Sequence, residues 1–111
     1  MSMIHIASNL TNSTASSLQQ ADIQPNAIDL RLKKVFKIDG NDLFSIDEEH
    51  KKHRGTVEVQ PSEDGFIYLE PGHYEVVMEN EVIIGEGEAG WVITRSTLNR
   101  NGVFITSGLY D

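Results

Sequence analysis

The chain has 111 residues, with nine basic side chains against seventeen acidic ones for a formal charge of −8, 39% hydrophobic residues and no cysteine. That length suits one small domain with a single core, and the absence of cysteine excludes disulfide staples, Cys-based zinc sites, iron–sulfur ligation and thiol nucleophiles. The acidic balance repels nucleic acid and no apolar run reaches the roughly 18 residues that cross a bilayer, so neither nucleic acid nor membrane is expected as a partner.

Residues 1–23 read as a polar arm. Met1–Leu10 lacks the basic start and apolar stretch of a secretory leader, so a cytoplasmic location is expected, in a cell or an infected host. Ser8–Gln20 is dominated by Ser, Thr, Asn and Gln and is expected to order only on contact. From residue 24 to 111 the pattern is that of a β domain. Ile28, Leu30, Leu32, Phe36 and Ile38 occupy even positions while Asp29, Arg31, Lys33 and Lys37 occupy odd ones, which predicts a strand with one wet face. Asp39-Gly40-Asn41 supplies a turn. The charged stretch from Asp42 to Arg54 fits a short helix or a solvated loop equally well, with Asp47/Lys51 and Glu48/Lys52 at i,i+4 spacing.

Short runs of β-formers follow at Val57–Val59, Phe66–Leu69, Tyr74–Met78, Val82–Ile84, Trp91–Thr94 and Val103–Thr106. Turn chemistry separates them: Pro61–Gly65, Pro71-Gly72, Gly85–Gly90 and Asn101-Gly102, the last suited to a tight hairpin. The fold expected is all-β, with a core of Ile28, Leu30, Leu32, Phe36, Val57, Val59, Ile67, Leu69, Val76, Val92 and Phe104.

Gly85, Gly87 and Gly90 spell G-x-G-x-x-G after an apolar run, yet Trp91-Val92-Ile93-Thr94 follows where a dinucleotide fingerprint needs a helix, so a loop between strands is expected. His50 and His53 flank two lysines that oppose a dication, and they read as surface residues; no protein-bound metal is expected. Glu79, Glu81, Glu86 and Glu88 are assigned to solubility. The informative segment is Thr94–Gly102. It concentrates Arg95, Ser96, Thr97 and Arg100 in a chain short of positive charge, and guanidinium forks with hydroxyl donors between them suit phosphate oxygens.

Four segments in order resemble the family of dCTP deaminases and trimeric dUTPases. Gln24–Leu32 is similar to the motif in which a small residue precedes an Asp-Leu pair, here Asp29-Leu30; Leu69-Glu70-Pro71-Gly72 resembles the family's L-x-P-G turn; Arg95-Ser96-Thr97-Leu98-Asn99-Arg100-Asn101-Gly102 resembles the deaminases' R-S-S-x-x-R-x-G signature; and Ser107–Asp111 looks like the start of the motif that ends on an acidic residue. The resemblance implies a distorted β-barrel or jelly roll of the dUTPase type, a homotrimer with sites between subunits, and dCTP or dUTP as ligand, with Mg2+ carried on the triphosphate. It also implies that Ser96 and Arg100 work at the pyrimidine and its attacking water, that Arg95 and Thr97 lie near the phosphates, and that Asp111 orients water. The Arg-Ser-Thr-x-x-Arg form favours the deaminase branch.

Departures from the family pattern set further expectations. The polar arm stands where deaminases begin with a helix, and the sequence reaches Asp111 before the strand that carries the deaminase's catalytic Glu. A fragment or shortened relative is therefore expected, inactive as a 111-residue form because deamination needs a group to move protons at water, N3 and the departing amine. The competing class is a non-catalytic trimeric β domain, such as a capsid decoration or regulatory protein with a virion location.

Overall fold

The computed structural model describes residues 11–111, so the expectation for Met1–Leu10 lies outside the described residues. In chain order the elements are β1 (Thr14–Ala15), a single 3-10 turn (Gln20–Asp22), β2 (Leu32–Ile38), β3 (Thr56–Glu58), β4 (Tyr74–Met78), β5 (Val82–Ile83) and α1 (Ser96–Arg100). Among the described residues all strand pairing is antiparallel, and the all-β expectation holds. The strands form two open sheets, β3-β2-β4 and β1-β5. Two compact units result: Leu30–Glu79, and the described residues up to Asp29 together with Asn80–Asp111.

In the first of these, β2 is central because its Leu-Lys-Lys-Val-Phe-Lys-Ile run can pair on both edges. Its register against β4 runs Leu32↔Met78, then Lys34↔Val77 and Val35↔Val76, so Lys33 is an extra residue opposite none. That bulge inverts the alternation. Cross-strand partners share a face, so Val35 lies with Val76 and Met78, whereas Phe36 lies opposite Glu58 and Glu75 on the other face. Val35, at 1% exposure, is the buried centre of this sheet. The strictly even-numbered core face is thereby corrected.

Of the expected core, Ile28, Leu30, Phe36, Val59, Ile67, Val76 and Val92 are half-buried, but Leu32, Val57, Leu69 and Phe104 are exposed. The runs Phe66–Leu69, Trp91–Thr94 and Val103–Thr106 form no extended strand; Gly90 and Tyr110 make an isolated bridge, and Phe66 and Tyr68 meet as tilted rings. Asp42–Arg54 is a loop closed by a Ser45↔Lys52 bridge, and its acids pair with His50 at i,i+3 (Asp47), with Lys51 at i,i+3 (Glu48) and with Lys52 across the loop (Asp42).

In the other unit, Thr14 and Ala15 pair with Ile83 and Val82, and the pairing continues as Ser16 N–H donates to the Glu81 carbonyl at 2.9 Å. The Ser16 carbonyl accepts a bond from buried Asn80 at 2.8 Å, and its hydroxyl oxygen accepts one from Glu81 N–H at 2.8 Å. Gly85 approaches Asn12 so closely that only a residue without Cβ fits. Glu88 gathers Thr11, Asn12 and Ser13: Ser13 Oγ donates to it at 2.6 Å, Thr11 Oγ1 at 2.8 Å and Asn12 N–H at 3.1 Å. These bonds hold its carboxyl below the ordinary glutamate range, the Ser13 hydroxyl contributing most. Glu88 is therefore a tie point, correcting its assignment to solubility, while the Gly85–Gly90 stretch is a loop as expected.

Candidate functional site

A small hairpin prepares the site. Ile23 and Ile28 bridge around Pro25-Asn26, Gln24 N–H donates to the Ala27 carbonyl at 2.9 Å, and Asp29 N–H donates to the carbonyl of buried Asp22 at 2.8 Å. The Asp22 carboxylate in turn accepts the Gln19 N–H at 2.9 Å. Asp29 thus leaves the hairpin on a backbone fixed by its neighbours. Its carboxylate takes a bond from the Gln24 side chain at 3.3 Å and pairs directly with the Arg95 guanidinium. Two residues 66 positions apart are brought into one ion pair.

Arg95 stands at the N-cap of α1, with φ −67° and ψ 157°, and its carbonyl accepts the Leu98 and Asn99 N–H groups. Ser96, Thr97 and Arg100 follow on this short helix, Ser96 and Arg100 at i,i+4 and so on one side of it. All are exposed. The helix stops at Gly102, whose φ of +77° is accessible to glycine at little cost. Gly102 N–H bonds the Asn99 carbonyl and Val103 N–H bonds the Leu98 carbonyl, the paired bonds of a Schellman stop. Asn101 adds a side-chain bond to the Thr97 carbonyl at 2.8 Å. Asn101-Gly102 thus ends a helix instead of turning a hairpin: a helical turn formed between the predicted runs, so no hairpin strands flank the dipeptide.

The structure accordingly brings Arg95, Ser96, Thr97 and Arg100 together on one capped helical turn. Asp111 stands apart from that turn in its bonding. It follows Tyr110, which exchanges backbone bonds with Gly90 at 2.7 and 2.8 Å, and no hydrogen bond or ion pair joins its carboxylate to α1. Only one guanidinium nitrogen of Arg95 is engaged by Asp29, and the side chain is 67% exposed, so further N–H donors face solvent. Sequence reasoning missed Asp29 as the partner of Arg95; the legible signal was an Asp-Leu pair beginning a strand, which says nothing of what the carboxylate meets. Among the described residues no three His, Asp or Glu side chains gather as a metal-holding group, and no helix is long and apolar enough to cross a membrane.

The model of the dCTP deaminase-like family matches residues 4–111. The chain is 34% identical over 107 residues to a deoxyuridine 5'-triphosphate nucleotidohydrolase of Methanocaldococcus jannaschii, covering 96% of this chain and 69% of that protein. It is 32% identical over 107 residues to a probable deoxyuridine 5'-triphosphate nucleotidohydrolase of Methanosarcina barkeri, covering 92% and 63%. With the dUMP-forming dCTP deaminase of Salinispora arenicola it shares 36% identity over 95 residues, covering 80% and 48%. The chain thus spans from about half to 69% of the length of these relatives. No solved structure gives a significant match.

Proposed function

The chain belongs to the dCTP deaminase-like family, and from that premise we propose that it binds the Mg2+ complex of a deoxypyrimidine triphosphate, dUTP or dCTP, as part of a dUTPase- or deaminase-type activity. The observation that carries the reading is the Asp29–Arg95 pair: the Asp of the first motif fixes the Arg that opens the third, directly ahead of Ser96, Thr97 and Arg100.

Arg95 uses one nitrogen on Asp29 and offers its remaining donors to phosphate oxygens, with the Thr97 hydroxyl beside it. Ser96 and Arg100, one helical turn apart, face the pyrimidine and the water, Ser96 orienting by hydrogen bond and Arg100 by charge. Neither removes a proton near neutral pH, because guanidinium stays protonated and a hydroxyl is a weak base. Asp111 is the carboxylate proposed to orient water, and Ser96 and Arg100 are given no acid–base step. Mg2+ arrives on the triphosphate as part of the substrate. A homotrimer with the site between subunits belongs to the same proposal. Its support is the exposed apolar side chains Trp91, Ile93, Phe104 and Leu109, each more than 60% exposed, which a second copy would cover.

Calorimetric titration with Mg·dUTP and Mg·dCTP tests the site. Arg95→Ala and Arg100→Ala each remove a charge-assisted bond worth about 1.5–3 kcal/mol, a loss of roughly 10- to 150-fold in affinity. Binding unchanged in both variants sends the site elsewhere. Sedimentation velocity at micromolar concentration reads the trimer, and a monomer there removes the intersubunit site.

A further inference from the structure

We propose that the cleft at one end of the three-stranded sheet is an anion site that takes a phosphoryl group, a function separate from the nucleotide site above. Antiparallel pairing brings three segments to that end: the exit of β2, the approach to β3 and the approach to β4. Ile38 lies opposite Thr56, and its N–H donates to the His73 carbonyl at 3.2 Å. Between them opens a cleft of about 550 Å3, lined by Lys37, Ile38, Gly40, Arg54, Gly72 and His73. Every ionisable side chain on its wall is basic, in a chain whose formal charge is −8.

Arg54 is the prepared member of the set. Its Nε donates to the Asp42 carbonyl at 2.9 Å, and its guanidinium carbon sits 4.7 Å from the centre of the Phe44 ring. These two contacts fix the plane of the group from its Nε side and one face. Both Nη nitrogens are left without an acidic partner, because the neighbouring Asp42 carboxylate is taken up by Lys52 at 3.0 Å and Gly55 N–H at 2.8 Å. A guanidinium edge held in this way matches two phosphate oxygens at once, at less entropic cost than a free arginine. Lys37 is tied only to the highly exposed Glu70, at 3.8 Å, a loose pair that a dianion in the cleft outcompetes.

A Cβ on Gly40 would meet nothing within 4 Å, and one on Gly72 only the Tyr74 side chain at ordinary contact distance, so the backbone at these two points of the wall borders open space. A fixed guanidinium fork, an ammonium group and an imidazole around one opening favour a dianionic phosphoryl group over a singly charged carboxylate. Free phosphate and the end of a small phosphate monoester share this chemistry.

The test is a titration of the 15N-labelled full chain with sodium phosphate, and separately with glycerol phosphate, at constant ionic strength, following the Gly40, Gly72 and His73 amides. Saturable shifts at these amides are expected. Arg54→Met, which keeps an apolar stem against Phe44, weakens them about tenfold or more, and Lys37→Met does so by several-fold. Arg95→Ala leaves them unchanged, so this result stands or falls apart from the nucleotide-site reading. Tighter binding of glycerol phosphate assigns the cleft to an ester, and equal or weaker binding to the free ion. If Arg54→Met fails to fold, Lys37→Met carries the comparison. Absence of saturation, or shifts of equal strength in the folded variants, overturns the proposal.

Discussion

The glycines of the 85–90 loop offer a quantitative test of how the N-terminal arm is held. A Cβ on Gly85 would lie 2.6 Å from both the carbonyl carbon and the oxygen of Asn12. Carbon contacts settle near 3.5–4.0 Å, so Gly85→Ala pushes the arm back by about 1 Å. The Gly85 N–H to Ser13 Oγ bond, now 2.9 Å, does not survive that step, and Ser13 is drawn from Glu88 with it. Overpacking against backbone costs about 1–3 kcal/mol, and the middle of that range lowers Tm by roughly 8–10 °C in a domain of this length. Gly90→Ala is the matched control, since its Cβ makes only an ordinary 3.5 Å contact with Ile84. Gly87→Ala meets no atom within 4 Å but sits at φ +80°, so it carries backbone strain alone, about 1 kcal/mol. Thermal unfolding followed by Trp91 fluorescence reads all three, because the single tryptophan lies in the same unit as the loop. A Gly85→Ala protein that melts with Gly90→Ala, or above Gly87→Ala, refutes the arm contact.

Val35→Ala removes the buried centre of the three-stranded sheet and should cost about 2–3 kcal/mol in urea unfolding, as lost transfer energy plus a cavity, whereas Val57→Ala, at 70% exposure, should change stability by less than about 0.5 kcal/mol. Glu88 has a depressed folded pKa, so its stabilisation is present above the unfolded glutamate value and disappears as pH falls through the folded one. Protection of the Asn12 and Ser13 amides, taken relative to the unprotected exchange rate at each pH, should accordingly fall as pH drops below the ordinary glutamate range, and Glu88→Gln should flatten that response; protection independent of pH in the parent protein counts against the tie. The polypeptide of residues 1–111 should release ammonia from dCTP no faster than background, because none of the bonds around Ser96 and Arg100 holds a carboxylate on them. Robust turnover by that polypeptide overturns this reading of Ser96 and Arg100.

Local pattern carried the legible part of the fold. Tyr74–Met78 alternates cleanly and is β4 with the predicted bounds, and Thr56–Glu58 and Val82–Ile83 lie within or beside the runs that predicted them. What alternation hides is an inserted residue. Lys33 has the composition of a wet-face position, and nothing local reveals that it is skipped in the ladder, so every inference of facing beyond it is inverted. Trp91–Thr94 and Val103–Thr106 are rich in β-formers but find no extended ladder partner, since propensity marks a strand only where a neighbour supplies the bonds. For the site, the cluster Arg95, Ser96, Thr97 and Arg100 was readable because it is contiguous. The partnership of Arg95 with Asp29 was not, because its two halves are separated by 66 residues and neither is unusual alone.

The Glu88 tie has a kinetic side. Thr11, Asn12 and Ser13 reach it across separations of 77, 76 and 75 residues, among the most non-local contacts of the described residues. Closing a loop of that size costs entropy before any bond repays it, while the β2–β4 core closes over a shorter span. During synthesis residues 11–15 emerge before residues 80–88 and have no binding surface until these follow, so β1 docks after its receptor strand exists. A segment that joins late contributes little to the folding barrier and much to the unfolding one. Weakening the tie therefore accelerates release of residues 11–15 while leaving the folding rate nearly untouched, and makes their detachment from residues 80–88 the first step of unfolding.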